Sequence, residues 1–203
     1  GLVGSEMCIR DRLNRLIKML ESNPEQGLRH ALPLAGSHGR GRTAPGTKLN
    51  PRDPSFNLNR TGGGGPVDQW SIPPLLHQQL TKRYRELAQR EQHLGRFKRA
   101  AYIYAELLGD LYSAAAVLKE GKHFTDAATV YRDHLSQYLP AAECFSLAGL
   151  YTEAITLYEK IGDFLALGDL YKRIGDPTQA DAVYRRAVAK KIAANDLLSA
   201  ARL

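Results

Sequence analysis

The chain has little of what disulfide-stapled domains, metal centres and membrane spans are made from. Its two cysteines, Cys8 and Cys144, stand far apart in 203 residues. They build neither a disulfide framework nor a zinc knuckle, and they fit a reducing, cytoplasmic compartment. No apolar run approaches the roughly 18 residues that cross a bilayer, and no charged n-region with an apolar h-region marks a signal peptide. His-x-x-x-His and Cys-x-x-Cys spacings are missing around His123, His134 and Cys144, so zinc lacks the three protein donors it needs. Packing or solvent exposure accounts for all three, and Cys144 reads as small apolar filler. Gly62–Gly65 is followed by Pro66-Val-Asp and not by Lys-Ser/Thr opening a helix, so it reads as flexible linker and not as a phosphate cradle. With no acid, base or ligand constellation, the expectation is a protein that is not an enzyme and holds no cofactor or metal.

What is present begins with charge. The net charge is +7 and the pI about 9.5, which invites a nucleic-acid or anionic-membrane reading until the charge is located. Residues 29–66 carry six Lys or Arg against one Asp, whereas residues 95–188 carry eleven against twelve acids. The one structured basic stripe runs from Lys82 to Arg99, through Lys82, Arg83, Arg85, Arg90, Arg96, Lys98 and Arg99. It is a candidate docking face for an acidic partner, beside the plainer reading of a solvated helix face.

The opening string Gly1 to Arg12 resembles a translated sequencing-adapter read-through and is set aside from the fold. Residues 13–28 then read as a short amphipathic helix, with Leu13, Leu16, Ile17 and Leu20 at helical spacing. Residues 29–66 hold eight Gly and five Pro and read as a disordered linker. Residues 67–94 read as an entrance, with Ser71 as cap and Trp70 as anchor, followed by one long helix.

From Gly95 the chain repeats itself. Glycines recur at Gly95, Gly121, Gly149 and Gly175, in steps of 26, 28 and 26 residues. Each unit carries a small and a large residue four apart, in Ala100/Tyr104, Ala127/Tyr131, Ala154/Tyr158 and Ala180/Tyr184. Its second half repeats the device in Ala114/Leu118, Ala141/Phe145, Ala166/Leu170 and Ala194/Leu198. Positions four apart share a helix face, so the small residue admits a neighbouring helix and the large one fills the gap beside it. These tyrosines are expected in the seam between helices rather than along a binding groove. Gly109-Asp, Gly162-Asp and Gly175-Asp read as turns that end one helix and start the next.

Small-x-x-x-large pairs on alternating helices resemble tetratricopeptide repeats, whose unit is about 34 residues. The resemblance implies an all-α fold: a short right-handed α-solenoid of antiparallel helix pairs, four repeats over residues 95–203, preceded by a long helix and the linker. A helical pattern running to Leu203 without a stop signal adds the expectation that the array is truncated there. A second likeness is to bacterial helical-repeat proteins encoded with a MoxR-type AAA+ ATPase and a von Willebrand A protein, in ternary systems with β-propeller partners. It is carried by Asn23-Pro-Glu-Gln-Gly-Leu-Arg-His-Ala-Leu-Pro33, by Pro66-Val-Asp-Gln-Trp70 and by the stretch Leu94 to Asp110, Leu94-Gly-Arg-Phe-Lys-Arg-Ala-Ala-Tyr-Ile-Tyr-Ala-Glu-Leu-Leu-Gly-Asp110. That likeness implies an AAA+ ATPase or von Willebrand A protein as partner.

The functional expectation is a non-catalytic protein-binding scaffold. Its competitor is a nucleic-acid or anionic-membrane binder using the basic stripe and linker, a reading weakened by the few aromatics near those charges. Self-association is expected through an open C-terminal end formed by Ile192, Ala193, Leu197, Leu198 and Leu203.

Overall fold

A computed structural model describes residues 2–34, 40–43, 49, 51, 53–58 and 68–193. Helices build it: α1 (Leu2–Ser22), α2 (Pro24–Arg29), α3 (Pro74–His93), α4 (Phe97–Tyr102), α5 (Leu111–Glu120), α6 (Phe124–Thr129), α7 (Tyr138–Leu147), α8 (Tyr151–Ile161), α9 (Phe164–Ile174) and α10 (Pro177–Ala193). The fold is the expected all-α, tetratricopeptide-like arrangement of consecutive helix pairs joined by short turns. One element lies outside that description. Strands β1 (Arg40–Thr43) and β2 (Asp68–Ser71) pair antiparallel, with Gly41 opposite Trp70. The side chain of Trp70 lies outside the described residues, as do Ala194 and Leu198.

The chain divides into two compact units, Gly1–His123 and Phe124–Leu203. In the first, Leu13, Leu16 and Leu20 bury one face of α1, and α1 packs on α2 and α3. Among the described residues of the Gly/Pro-rich stretch, three large apolar side chains are buried, Leu32 wholly and Leu34 and Phe56 nearly so. Backbone bonds fix two of them, Leu34 N–H to the Leu107 carbonyl at 2.7 Å and Phe56 N–H to the Lys98 carbonyl at 3.1 Å. Composition marked this stretch as linker, but Leu32 is held by Tyr84 of α3, Leu34 by Leu107 beyond the end of α4 and Phe56 by Lys98 of α4.

The entrance to α3 differs from expectation. Pro73 occupies the cap position in extended backbone and makes no side-chain cap bond, while Ser71 ends β2. The Pro73-Pro74 pair explains this, because the residue before a proline is pushed out of the helical region and Pro74 pre-sets the first helical turn.

In the second unit α7 packs along α8 and α9 along α10 as the most extensive pairs. The Gly-Asp turns form as read. Gly162 and Gly175 adopt left-handed backbone, with φ of +73° and +85°. Asp163 and Asp176 then cap the next helix by accepting the N–H of Ala166 at 3.1 Å and of Gln179 at 3.0 Å. Asp110 does the same in the first unit, for Ser113 at 2.9 Å.

Gly121 does not work as a turn. Its φ is −74°, and Lys122 takes the left-handed conformation instead, at φ +61°. Gly121 is needed for space, since a Cβ there would sit 2.4 Å from the Phe97 ring.

Two features were not expected. Helices α4 and α6 each end in a π turn, over Ile103–Leu107 and Val130–His134. There the N–H of Leu108 and of Leu135 reach back five residues, to Ile103 at 3.0 Å and Val130 at 3.1 Å. In the second unit, moreover, the aromatic that opens each of α7, α8 and α9 is covered by a cation from the next helix. Lys160 lies 3.8 Å from the Tyr138 ring centre, Arg186 lies 4.3 Å from Phe164, and Arg173 lies 6.0 Å from Tyr151. Each cation follows its aromatic by 22 residues, so a cation–π contact recurs at one end of successive helices.

Candidate functional site

The basic residues do not form one stripe. Along α3, Lys82 pairs with Glu86 at 3.9 Å. Arg83 is held by Glu86 at 3.0 Å and by Glu21 of α1. Those two carboxylates push its guanidinium pKa further up, the hydrogen bond to Glu86 contributing most. Lys82 and Arg85 border a shallow groove with His77, Gln78, Thr81, Glu86 and Gln89, and Arg90 is exposed.

Arg96, Lys98 and Arg99 instead converge at the entrance to α4. With Glu25 and Arg29 of α2, Asp53, His123 and Phe97, they border an open cleft of about 480 Å³. The sequence reading named three of these cations and missed Arg29, Glu25, Asp53 and His123. All four lie far from the stripe in sequence: the docking of α2 brings Arg29 and Glu25, residues 53–58 bring Asp53, and the turn after α5 brings His123.

The cleft is organised by Glu91, whose residue is 3% exposed. Arg96 approaches its carboxylate at 3.4 Å and Arg99 at 3.5 Å. Arg99 also reaches Glu25 at 3.2 Å. That guanidinium, through its hydrogen bond first and its charge second, holds the Glu25 carboxyl below the usual carboxylate range. The two acids on Arg99 differ in one respect: the Glu91 side chain is 4% exposed and that of Glu25 56%.

The repeat positions fall as follows. Ala100, Ala127, Ala154 and Ala180 are all buried. Tyr131 and Tyr158 are buried, whereas Tyr104 and Tyr184 are half-buried. The Tyr184 hydroxyl donates to Asp169 at 2.6 Å, and that hydrogen bond is the main cause of a pKa pushed up to about 12. Burial raises the Tyr104 and Tyr158 hydroxyls. Cys144 is buried and His123 lies at the cleft. Among the described residues no three His, Cys, Asp or Glu side chains gather as a metal site, and no helix is long and apolar enough to cross a membrane.

A repeat length does not fix which helix begins the unit. The spacing Tyr84-x-x-Leu87-Ala88-x-x-Glu91, with Ala100 and Tyr104 following, recurs as Leu111, Ala114, Ala115, Leu118, Ala127, Tyr131. It recurs again as Tyr138, Ala141, Ala142, Phe145, Ala154, Tyr158, and as Phe164, Leu167, Gly168, Tyr171, Ala180, Tyr184. In this frame the unit opens on α3, α5, α7 and α9, one helix earlier than the glycine count suggests. The position of the buried Glu91 is held by Leu118, Phe145 and Tyr171 in the other units.

No curated protein and no solved structure matches the chain. Residues 164–196, beginning at the first residue of α9 and taking in α10, match the family model of the tetratricopeptide repeat, whose Leu-Gly-x-x-Tyr and Ala-x-x-x-large elements correspond to Leu167-Gly168, Tyr171, Ala180 and Tyr184 in this sequence.

Proposed function

We propose that this chain is a non-catalytic protein-interaction scaffold whose partner presents an acidic segment to the basic face of α3 and α4. The supporting observation is the cleft of Arg29, Arg96, Lys98 and Arg99, built on a helical-repeat frame. Helical repeats offer side chains at fixed spacing and bind through them. Lys82, Arg85 and Arg90, exposed along α3, extend the positive field and steer an acidic partner inward. The likeness to repeat proteins encoded beside MoxR-type ATPases and von Willebrand A proteins makes one of those the first partner to try. Exposed Ile161, Ile174 and Ile192, at 38%, 37% and 50%, add a route to self-association in the second unit.

Titrating the full chain with a labelled glutamate-rich peptide, and in parallel with a short DNA duplex, tests this reading. Saturable peptide binding that is lost on combined Arg96→Glu and Lys98→Glu substitution is expected. Tighter binding of the duplex, with log K falling steeply in log salt, would favour the nucleic-acid alternative.

A further inference from the structure

Glu91 presents an internal contradiction that the repeats themselves expose. Burying a carboxylate is unfavourable unless charge and hydrogen bonds compensate it. The equivalent positions carry Leu118, Phe145 and Tyr171, so this fold builds the same helix with an uncharged side chain. What Glu91 adds is a fixed anion behind Arg96 and Arg99, at 3.4 Å and 3.5 Å. Held from behind, both guanidinium groups reach the wall of the cleft, where Lys98 and Arg29 join them.

Arg99 then has one acid that stays and one that is free to leave. Glu91 is enclosed, whereas Glu25 reaches Arg99 from the solvent side at 3.2 Å, on the short helix α2. Of this pair only Glu25 is exposed, so water solvates its carboxylate readily on release while Arg99 keeps Glu91. A carboxylate arriving from another molecule would replace Glu25 on Arg99 while Arg96 and Lys98 lie within the same cleft, and the released Glu25 would be solvated. The exchange keeps Arg99 paired throughout.

Resting on the docking reading above, we infer that Glu25 is an internal stand-in for a carboxylate of the partner, and that an acidic peptide segment enters the cleft by displacing it from Arg99. The site therefore carries its own competitor, which sets a threshold: a single carboxylate exchanges for Glu25 with little gain, while a run of acids gains the neighbouring cations. Such a run meets Arg29, Arg96, Lys98 and Arg99 in one cleft, against the two acids Glu25 and Asp53.

The experiment measures the affinity of the full chain for a fluorescein-labelled octaglutamate peptide, for the natural sequence, Glu25→Gln, and Arg96→Glu with Lys98→Glu, each checked for helix content. Glu25→Gln keeps the size of an exposed side chain and removes the competing charge, so affinity should rise severalfold, and the rise should shrink as salt screens both charges. The double charge reversal should abolish binding. If the reversal abolishes binding but Glu25→Gln binds equally or more weakly, the stand-in is wrong and the docking face survives. If the reversal leaves binding unchanged, the docking face itself is wrong.

Discussion

The Tyr84 hydroxyl sits between the two backbone groups of Leu32, accepting its N–H and donating to its carbonyl, each at 3.0 Å. One side chain of α3 thus satisfies both polar groups of a buried residue from the Pro-rich stretch. Tyr84→Phe leaves both without that partner inside the core, and should destabilise the first unit by about 2–3 kcal/mol. Urea unfolding monitored by circular dichroism checks the value. Brief proteolysis should also cut near residues 30–34 in the variant and not in the natural chain.

Removing Glu91 tests the buried network. Glu91→Ala leaves Arg99, whose side chain is 16% exposed, with Glu25 alone, and should cost about 3 kcal/mol, the low end for breaking a buried pair. An unchanged unfolding midpoint would mean that Arg96 and Arg99 are held by their own helix and not by the acid.

Close approach in the second unit makes a matched pair of glycine tests. A Cβ at Gly168 would meet the Tyr184 ring at 2.5 Å, and that ring is tethered by Asp169. Gly168→Ala should therefore destabilise by about 1–3 kcal/mol through crowding. Ala154→Leu, at a position with no exposure, should cost a similar amount by the same cause. Neutral thermal melts for both would mean that the helix crossings are looser than described.

Tyr184 supplies the pH dependence. Its hydroxyl pKa is raised from 10 to about 12 in the folded chain, first by the hydrogen bond to Asp169. The folded state therefore favours the protonated form. The stabilisation is complete below pH 10 and is lost as pH rises from 10 towards 12. Tyrosinate absorbance should show a late-titrating group that Tyr184→Phe removes, and the variant's melting temperature should fall less steeply across that interval.

The helices, their Gly-Asp turns and the buried alanines were legible because each depends on neighbours within one or two turns of chain. The frame of the repeat was not. Gly95, Gly149 and Gly175 mark helix ends, but every helix in the array has an end, and a period carries no phase. The pattern from Tyr84 to Tyr104, repeated three times, held that phase and was readable. So was the aromatic with a cation 22 residues later. The cleft was not readable, because Glu25 comes to Arg99, and Asp53 to the same cleft, only through long-range docking that leaves no periodic trace. The basic stripe looked continuous in sequence, yet Arg83 is spent on Glu21 and Glu86, and the arginines at the α4 entrance turn to Glu91.

The measurement that bears most directly on the scaffold reading is site-specific photo-crosslinking of the intact protein in its source cells. A photoreactive residue replaces Lys98, and a control carries it at Gln179, exposed on α10. A protein joined at position 98 through a segment rich in Asp and Glu, and absent from the control, is the predicted result. Crosslinking to nucleic acid at position 98, or the same products from both positions, would contradict the account.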